Sequence, residues 1–321
     1  MIVDVPNSET LAQICINGLN AAWNAALRVL FELADANVAE WDEDFSARRD
    51  YVRASQPNLL SVLSNIQQAL ELGVKSRIAA VSPYLLIAGD VKQWPKGRDG
   101  NVISFYEFRT IDAFDLVRVH NSVCSSVLPD SFCKIFNEMR RKRNVIVHLG
   151  GGDIEVDAKD LLPLILECFG HLFPDRCWVE ERYKYEESQP IYKLHGNDFL
   201  TMDLVGEFKG VVSLLKPSLL RKHYGYDNRK AKYICVSCTD EEASQLGSRT
   251  ALAQIRSADA DKAQLYCCVC AKENEVLRQP CVVMGCKNAL IFQDLFGWRT
   301  CVICGERQPS SDAEGSGHSS L

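Results

Sequence analysis

The apolar positions of the chain fall into three regimes. From Ser8 to about residue 38, Leu11, Ile14, Cys15, Leu19, Ala22, Ala26, Val29, Leu30 and Leu33 recur at helical spacing, with Ser8 placed to cap the start. Pro57 suits the first turn of a second helix, whose stripe of Leu59, Leu60, Leu63, Ile66, Ala69, Leu70 and Val74 runs to about Ser82, where Pro83 ends it. The stretch GDVKQWPKGRDGN, 89–101, reads as a loop. Helical spacing returns over 111–125 and again after Pro129-Asp130-Ser131, in a helix that carries Phe132, Ile135, Phe136, Met139, Asn144 and His148 and stops at Gly150-Gly151-Gly152. A last helix opens at Asp157 or Asp160 and reaches about Leu172. Over 178–210 the helical period is lost. Tyr183, Tyr185, Ile191, Tyr192, Leu194, Phe199 and Leu204 among polar residues suggest short strands.

The expected fold is therefore a mainly α N-terminal bundle followed by a small zinc-ribbon-like β module. An all-α domain spans 1–175, a linker or small mixed segment 176–224, a cysteine-rich module 225–306 and a disordered tail 307–321. The tail is polar and rich in Gly and Ser, too poor in apolar surface to offset the entropy of ordering it. No repeat at solenoid spacing is present.

At 321 residues the chain is long enough for two domains, and 47% hydrophobic with 24% charged residues is ordinary for a globular protein. No apolar run approaches the roughly 20 residues that span a bilayer. The N-terminus lacks a basic n-region, so a cytoplasmic location without membrane association is expected. The formal net charge of −6 gives no whole-protein attraction for nucleic acid. RNA contact would need local patches. Arg140-Arg141-Lys142-Arg143 is one, and Lys216 with Arg221, Lys222, His223, Arg229, Lys230 and Lys232 is another.

Of 14 cysteines, Cys15, Cys124, Cys133, Cys168 and Cys177 are scattered and read as small buried hydrophobes. The rest cluster as Cys235-x2-Cys238, Cys267-x2-Cys270, Cys281-x4-Cys286 and Cys301-x2-Cys304, with Cys268 spare. Two such turns present four thiolates to one tetrahedral ion, so two structural Zn2+ sites are expected. Each four-thiolate site adds about −2 to the charge. An iron–sulfur cluster is the other occupant of such a set. Sequential pairing gives two ribbons in a row; interleaved pairing gives a cross-brace. The run PCVVMGCKNALIFQDLFGWRTCVICGERQ, compact and with an apolar strand between its knuckles, favours sequential pairing. The absence of histidine among the knuckles argues against a RING-type ligase. Four sulfurs leave no open coordination position, which points to structure and not zinc catalysis. Lys287, Arg299, Arg307 and Trp298 give the last ribbon some basic and aromatic surface.

The chemically distinctive segment is EMRRKRNVIVHLGG. Arginine matches phosphate geometry, and histidine moves protons near neutral pH. Arg141, Asn144 and His148 share a helix face, whereas Arg143 lies roughly 140° round from His148 at 3.6 residues per turn. A helix distorted near the glycines, or a second subunit, would be needed to bring both to one phosphate. The plain alternative is a C-terminal histidine favoured by the helix dipole beside a solvated basic turn.

A helical domain whose late helix carries a basic turn, Arg-Asn, three residues and His resembles the HEPN superfamily of small helical nucleases. The resemblance covers about residues 55–175, through LELGVKSRIAAVSPYLL, SFYEFRTIDAFDLVRVH and FNEMRRKRNVIVHLGG, the last being the specific part. It implies a metal-independent endoribonuclease working as a homodimer, in a toxin–antitoxin or antiphage setting, with RNA as substrate and a neutralising or regulatory protein as partner. It assigns catalysis to Arg143, Asn144 and His148, and RNA binding to Arg140, Arg141 and Lys142. His148 would be general acid or base, Arg143 the phosphate anchor and Asn144 the orienting group, with Glu71 a candidate neighbour. Some members of that family bind nucleotides without catalysis. A non-catalytic binding protein that dimerises through the helical domain is thus the competing expectation, and a purely protein-facing adaptor a third.

Overall fold

The computed structural model describes residues 1–35, 46–96, 102–195, 199–238, 251–287 and 289–309. The expected disordered tail of 307–321 is corrected at its start, where Arg307–Gln308 form a strand and Gln308 is buried; residues 310–321, the end of the first helix past 35 and residues 97–101 of the Gly/Pro loop lie outside the described residues. The chain divides into two compact units, Met1–Arg176 and Cys177–Leu321. No described helix is long and apolar enough to cross a membrane.

The first unit is helical: α1 (Ser8–Asp35), α2 (Ser46–Val81), α3 (Ala113–Val123), α4 (Asp130–Leu149) and α5 (Ala158–Leu172). Its core takes much of the predicted stripes, with Leu19, Ile66, Leu70, Phe132 and Phe136 fully buried, but Ile14 is 48% exposed and Ile16 and Trp23, outside the predicted stripe, are fully buried along with Ile165 and Leu166. Two glycines set how closely the helices approach. A Cβ on Gly18 would sit 3.1 Å from Ala69 Cβ, and one on Gly73 would sit 2.9 Å from Cys15 Sγ. A short parallel pair, β1 (Ile2–Val3) with β2 (Ile103–Ser104), ties the N-terminus down.

Two starts differ from expectation. Asn7, not Ser8, caps α1: its Oδ1 accepts from the N–H groups of Glu9 (2.8 Å) and Thr10 (3.2 Å). Helix α2 begins at Ser46, with Pro57 inside it. The turns before Pro57 carry Arg48, Arg49 and Arg53, so their hydropathy is unlike a core helix. Side-chain bonds anchor them instead. Tyr51 donates to Glu32, and Gln56 pairs with the Val156 backbone through both its amide oxygen (2.9 Å) and nitrogen (3.1 Å).

The second unit joins helices to a sheet. The strands expected over 178–210 are not formed; α6 (Trp178–Glu187), α7 (Pro190–His195) and α8 (Leu200–Leu214) stand there. The reason is chemical. The inward stripe of α6 includes Arg182 and Glu186, which a hydropathy pattern reads as surface. Arg182 bonds Glu186 (2.8 Å) and Glu207 of α8 (2.6 Å), with its side chain only 5% exposed. A buried guanidinium is tolerated because two carboxylates surround it. A helical turn, Pro217–Leu219, and a wider one, Leu220–Tyr224, lead to Gly225 at φ +64°. Of the second basic group His223 is buried, while Lys216, Arg221, Lys222, Arg229, Lys230 and Lys232 are exposed.

The sheet is an antiparallel meander in chain order: β3 (Tyr233–Ile234), β4 (Ala251–Ala258), β5 (Lys262–Cys267), β6 (Glu273–Arg278), β7 (Leu290–Gln293), β8 (Arg299–Cys301) and β9 (Arg307–Gln308). The helices of this unit back it through aromatics. Phe208 packs on Tyr224 and Tyr226, Trp178 Nε1 donates to the Tyr224 hydroxyl (3.2 Å), and Tyr266 of β5 covers Gly225 so closely that a Cβ there would lie 2.9 Å from its ring.

Candidate metal centres and the histidine helix

Each cysteine knuckle is a backbone device before it is a metal site. Cys267 ends β5 and Cys270 follows in the turn to β6; Cys301 and Cys304 repeat this between β8 and β9. The turns match bond for bond. Cys267 N–H donates to Lys272 C=O (3.0 Å) as Cys301 does to Glu306 (2.9 Å), and Cys267 C=O accepts from Ala271 N–H (3.0 Å) as Cys301 does from Gly305 (2.7 Å). Both turns need a left-handed residue after the second cysteine. Gly305 supplies it at φ +76°, while Ala271 adopts it at φ +57° against its Cβ.

Among the described residues two groups gather potential metal ligands: Cys235, Cys238, Cys267 and Cys270, and Cys281, Cys286, Cys301 and Cys304, the sulfurs of each within 4.8 Å of one another. This is the sequential pairing. Cys235 to Cys270 and Cys238 to Cys267 are both 3.7 Å; Cys281 to Cys304 is 3.6 Å and Cys286 to Cys301 is 3.8 Å. A disulfide would bring sulfurs to about 2.05 Å. A single tetrahedral ion with metal–sulfur bonds of about 2.3 Å separates its ligands by roughly 3.8 Å, which is the spacing found. Each tetrad can thus hold one metal ion.

The electrostatics are compatible with a cation. In the first tetrad the neighbouring thiols of Cys238, Cys267 and Cys270 hold Cys235 well below the ordinary thiol range, while Cys238 is driven up by its bonds to Cys235 and then Cys267. One thiolate can be solvated by three thiols, but four thiolates at this spacing need positive charge among them. In the second tetrad burial, and then Cys301, pushes Cys286 up to about 12. Cys268 is outside both groups. Its thiol donates to Leu252 C=O at 2.8 Å, and burial raises it.

Further groups orient the sulfurs. Val269 N–H reaches Cys267 Sγ and Val283 N–H reaches Cys281 Sγ, each at 3.4 Å. Gln308, which no motif in the chain marks, is buried behind the second tetrad. Its Nε2 donates to Cys281 Sγ (3.4 Å) and its Oε1 accepts from Val282 N–H (2.9 Å). Only its position four residues after Cys304 could have flagged it. Ile234 N–H donates to Val302 C=O at 2.8 Å, which ties the strand before the first knuckle to the fourth.

In the first unit the Arg-Asn-x3-His segment lies on a continuous α4. The helix is not distorted ahead of the glycines. It runs to Leu149 and ends on Gly150 at φ +70°, with the Gly150 and Gly151 N–H groups both directed at Val145 C=O. Arg143 continues the inward stripe of Phe132 and Phe136, eleven residues and about 20° on from Phe132, and is half-buried. His148 is exposed on the far side. Arg143 Nη1 donates to Asn144 Oδ1 at 3.3 Å. The basic turn is dispersed round the helix. Arg140 stacks on Phe114 at 5.2 Å, Lys142 pairs with Glu138 at 2.7 Å, and Arg141 is exposed. Glu71 accepts from Gln67 on its own helix at 3.3 Å.

No family profile, curated protein or solved structure matches the chain.

Proposed function

We propose that this protein is an RNA-cleaving protein whose helical unit acts as a symmetric pair, and that both cysteine tetrads hold structural Zn2+. The observation that carries the reading is the surroundings of His148. It stands exposed at the end of α4 between Val147 (52% exposed) and Leu149 (74%), on the same helix as Arg140, whose guanidinium covers Phe114 (70%). Large apolar side chains left in water around one titratable group suit burial against another surface. A second copy is the economical occupant, because it brings a second His148 as well. With Arg143 and His148 pointing about 140° apart on one helix, one copy alone does not direct both at a phosphate.

In such a pair one His148 imidazole takes the proton of the ribose 2′-OH as that oxygen attacks phosphorus. The other His148, as imidazolium, gives a proton to the departing 5′-oxygen. Arg143, with Arg141, offers the fixed positive charge for the phosphate. The product ends are a 2′,3′-cyclic phosphate and a 5′-hydroxyl, and DNA, lacking the 2′-OH, is not cut. Zinc would serve the fold of the second unit, since four sulfurs fill its coordination shell.

The test is cleavage of end-labelled single-stranded RNA by the zinc-loaded chain and by His148→Ala, with fold and zinc content checked on both. Turnover leaving cyclic phosphate ends, falling by about a hundredfold or more in His148→Ala, is expected. Sedimentation should show a dimer that Val147→Asp dissociates. Absence of cleavage by the folded chain on varied RNAs sinks the nuclease reading. A second reading, RNA binding without turnover, is favoured by the divergence of Arg143 and His148; it expects salt-dependent binding that His148→Ala leaves unchanged.

A further inference from the structure

The C-terminal ribbon carries a second surface with its own chemistry. The β7–β8 hairpin closes through Asp294, whose Oδ1 accepts from both Phe296 N–H (2.9 Å) and Trp298 N–H (2.8 Å), while its own N–H donates to Trp298 C=O (2.9 Å). Gly297, at φ +84°, completes the turn. So tight a tip holds two aromatic rings in water: Phe296 is 89% exposed and Trp298 61%. The guanidinium of Arg307 lies over the Trp298 ring at 5.3 Å. Beside the hairpin is a recess of about 460 Å³, lined by Gln279, Gln293, Arg299 and Gln308 among others. Arg299 spends one guanidinium nitrogen on Pro309 C=O and another on Gln279, but its Nε is buried without an acceptor.

These features describe a ligand. Exposed ring faces take flat π-systems, and an aromatic ring already stacked under a guanidinium is a common platform for a nucleobase. The recess is lined by polar side chains, Gln293 among them, which suits the edge of a base. We propose that this ribbon binds single-stranded RNA, stacking unpaired bases on Phe296 and Trp298 beside Arg307, with a base edge turned toward the recess. The proposal deepens the RNA reading of the helical unit by giving the substrate a second, non-catalytic hold. Stacking leads and charge follows, because only Lys287, Arg299 and Arg307 are basic between 281 and 309, against Asp294 and Glu306.

The experiment measures binding of a short 5′-fluorescein oligoadenylate to the full-length, zinc-loaded chain by fluorescence anisotropy, in the His148→Ala background so that the probe stays intact. Trp298→Ala and Phe296→Ala should each weaken binding by about five- to a hundredfold, with zinc content unchanged. Trp298→Phe should restore most of the loss, because it keeps a ring face. The salt slope should be shallow, about −0.7 for each single-strand phosphate engaged, and a photoreactive thiouridine probe should crosslink within residues 293–309. Equal affinity of Trp298→Ala and its parent, or crosslinks confined to the first unit, overturns the proposal and leaves the tip as a protein-docking surface. The two RNA claims separate cleanly. Cleavage with an unchanged KM in Trp298→Ala retains the nuclease and rejects this site; binding that needs Trp298 in a chain that never cleaves does the reverse.

Discussion

The two cysteine tetrads share ligands, spacing and knuckle geometry, yet they sit in different surroundings. In the first, Cys235, Cys238 and Cys267 are buried, within a sheet backed by Trp178, Phe208, Tyr224 and Tyr226. In the second, Cys304 is exposed and the local core is Ala289, Ile291 and Cys301, with Cys281 and Cys286 packed against it. A metal bound at each tetrad would therefore do two jobs. In the first it would be one contributor among many to a hydrophobic core. In the second it would replace a core that so few residues cannot build, as is usual for very small folds.

The largest expected effect comes from chelation. Titrating the native chain with a strong chelator should release two equivalents of metal in two phases, the second tetrad first. Hydrogen exchange should then show residues 281–309 losing protection while the helix-backed sheet keeps it. Simultaneous release, or loss of the first tetrad first, would break the comparison. Next in size is Gln308→Ala, which removes the amide that donates to Cys281 and holds Val282. Loss of such an outer-shell partner costs about 10- to 100-fold in metal affinity, and competition with a metal indicator should find that loss at the second tetrad alone. The smallest effect is a matched exchange at the two left-handed positions. Gly305→Ala should destabilise the second ribbon by about 1 kcal/mol, and Ala271→Gly should be neutral or stabilise the first by a similar amount. Thermal unfolding of both variants reads this directly, and identical shifts in sign would show that the two knuckles are not equivalent.

Legibility in the chain followed the range of the interactions. The bundle helices α1 and α3 to α5 and the tetrad pairing are set by neighbours a few residues apart or by ligand spacings, so one strand of text carried them. The helices α6 and α8 were misread because their contact is ionic. Arg182 turns inward only because Glu207, on another helix, waits for it. The N-terminal turns of α2 were missed for a related reason: Gln56 finds its partners a hundred residues away, at Val156. Gln308 gives no signal of its own, since a lone glutamine gains meaning only beside Cys281; at the hairpin tip the chain marks Trp298 with Arg299 and Arg307 as aromatic and basic surface, but not the Asp294 turn that carries it.

The basic histidine helix shows the same boundary. Its residues, its termination at Gly150 and the angle between Arg143 and His148 follow from helical geometry, and the structure keeps all three. Which of the two side chains faces inward does not follow from that angle. Packing against the bundle core decided it, by burying Phe132, Phe136 and Met139 and so carrying Arg143 inward and His148 out. Local covalent spacing is written into the chain; the direction in which each face looks is set only when distant apolar surfaces leave water together.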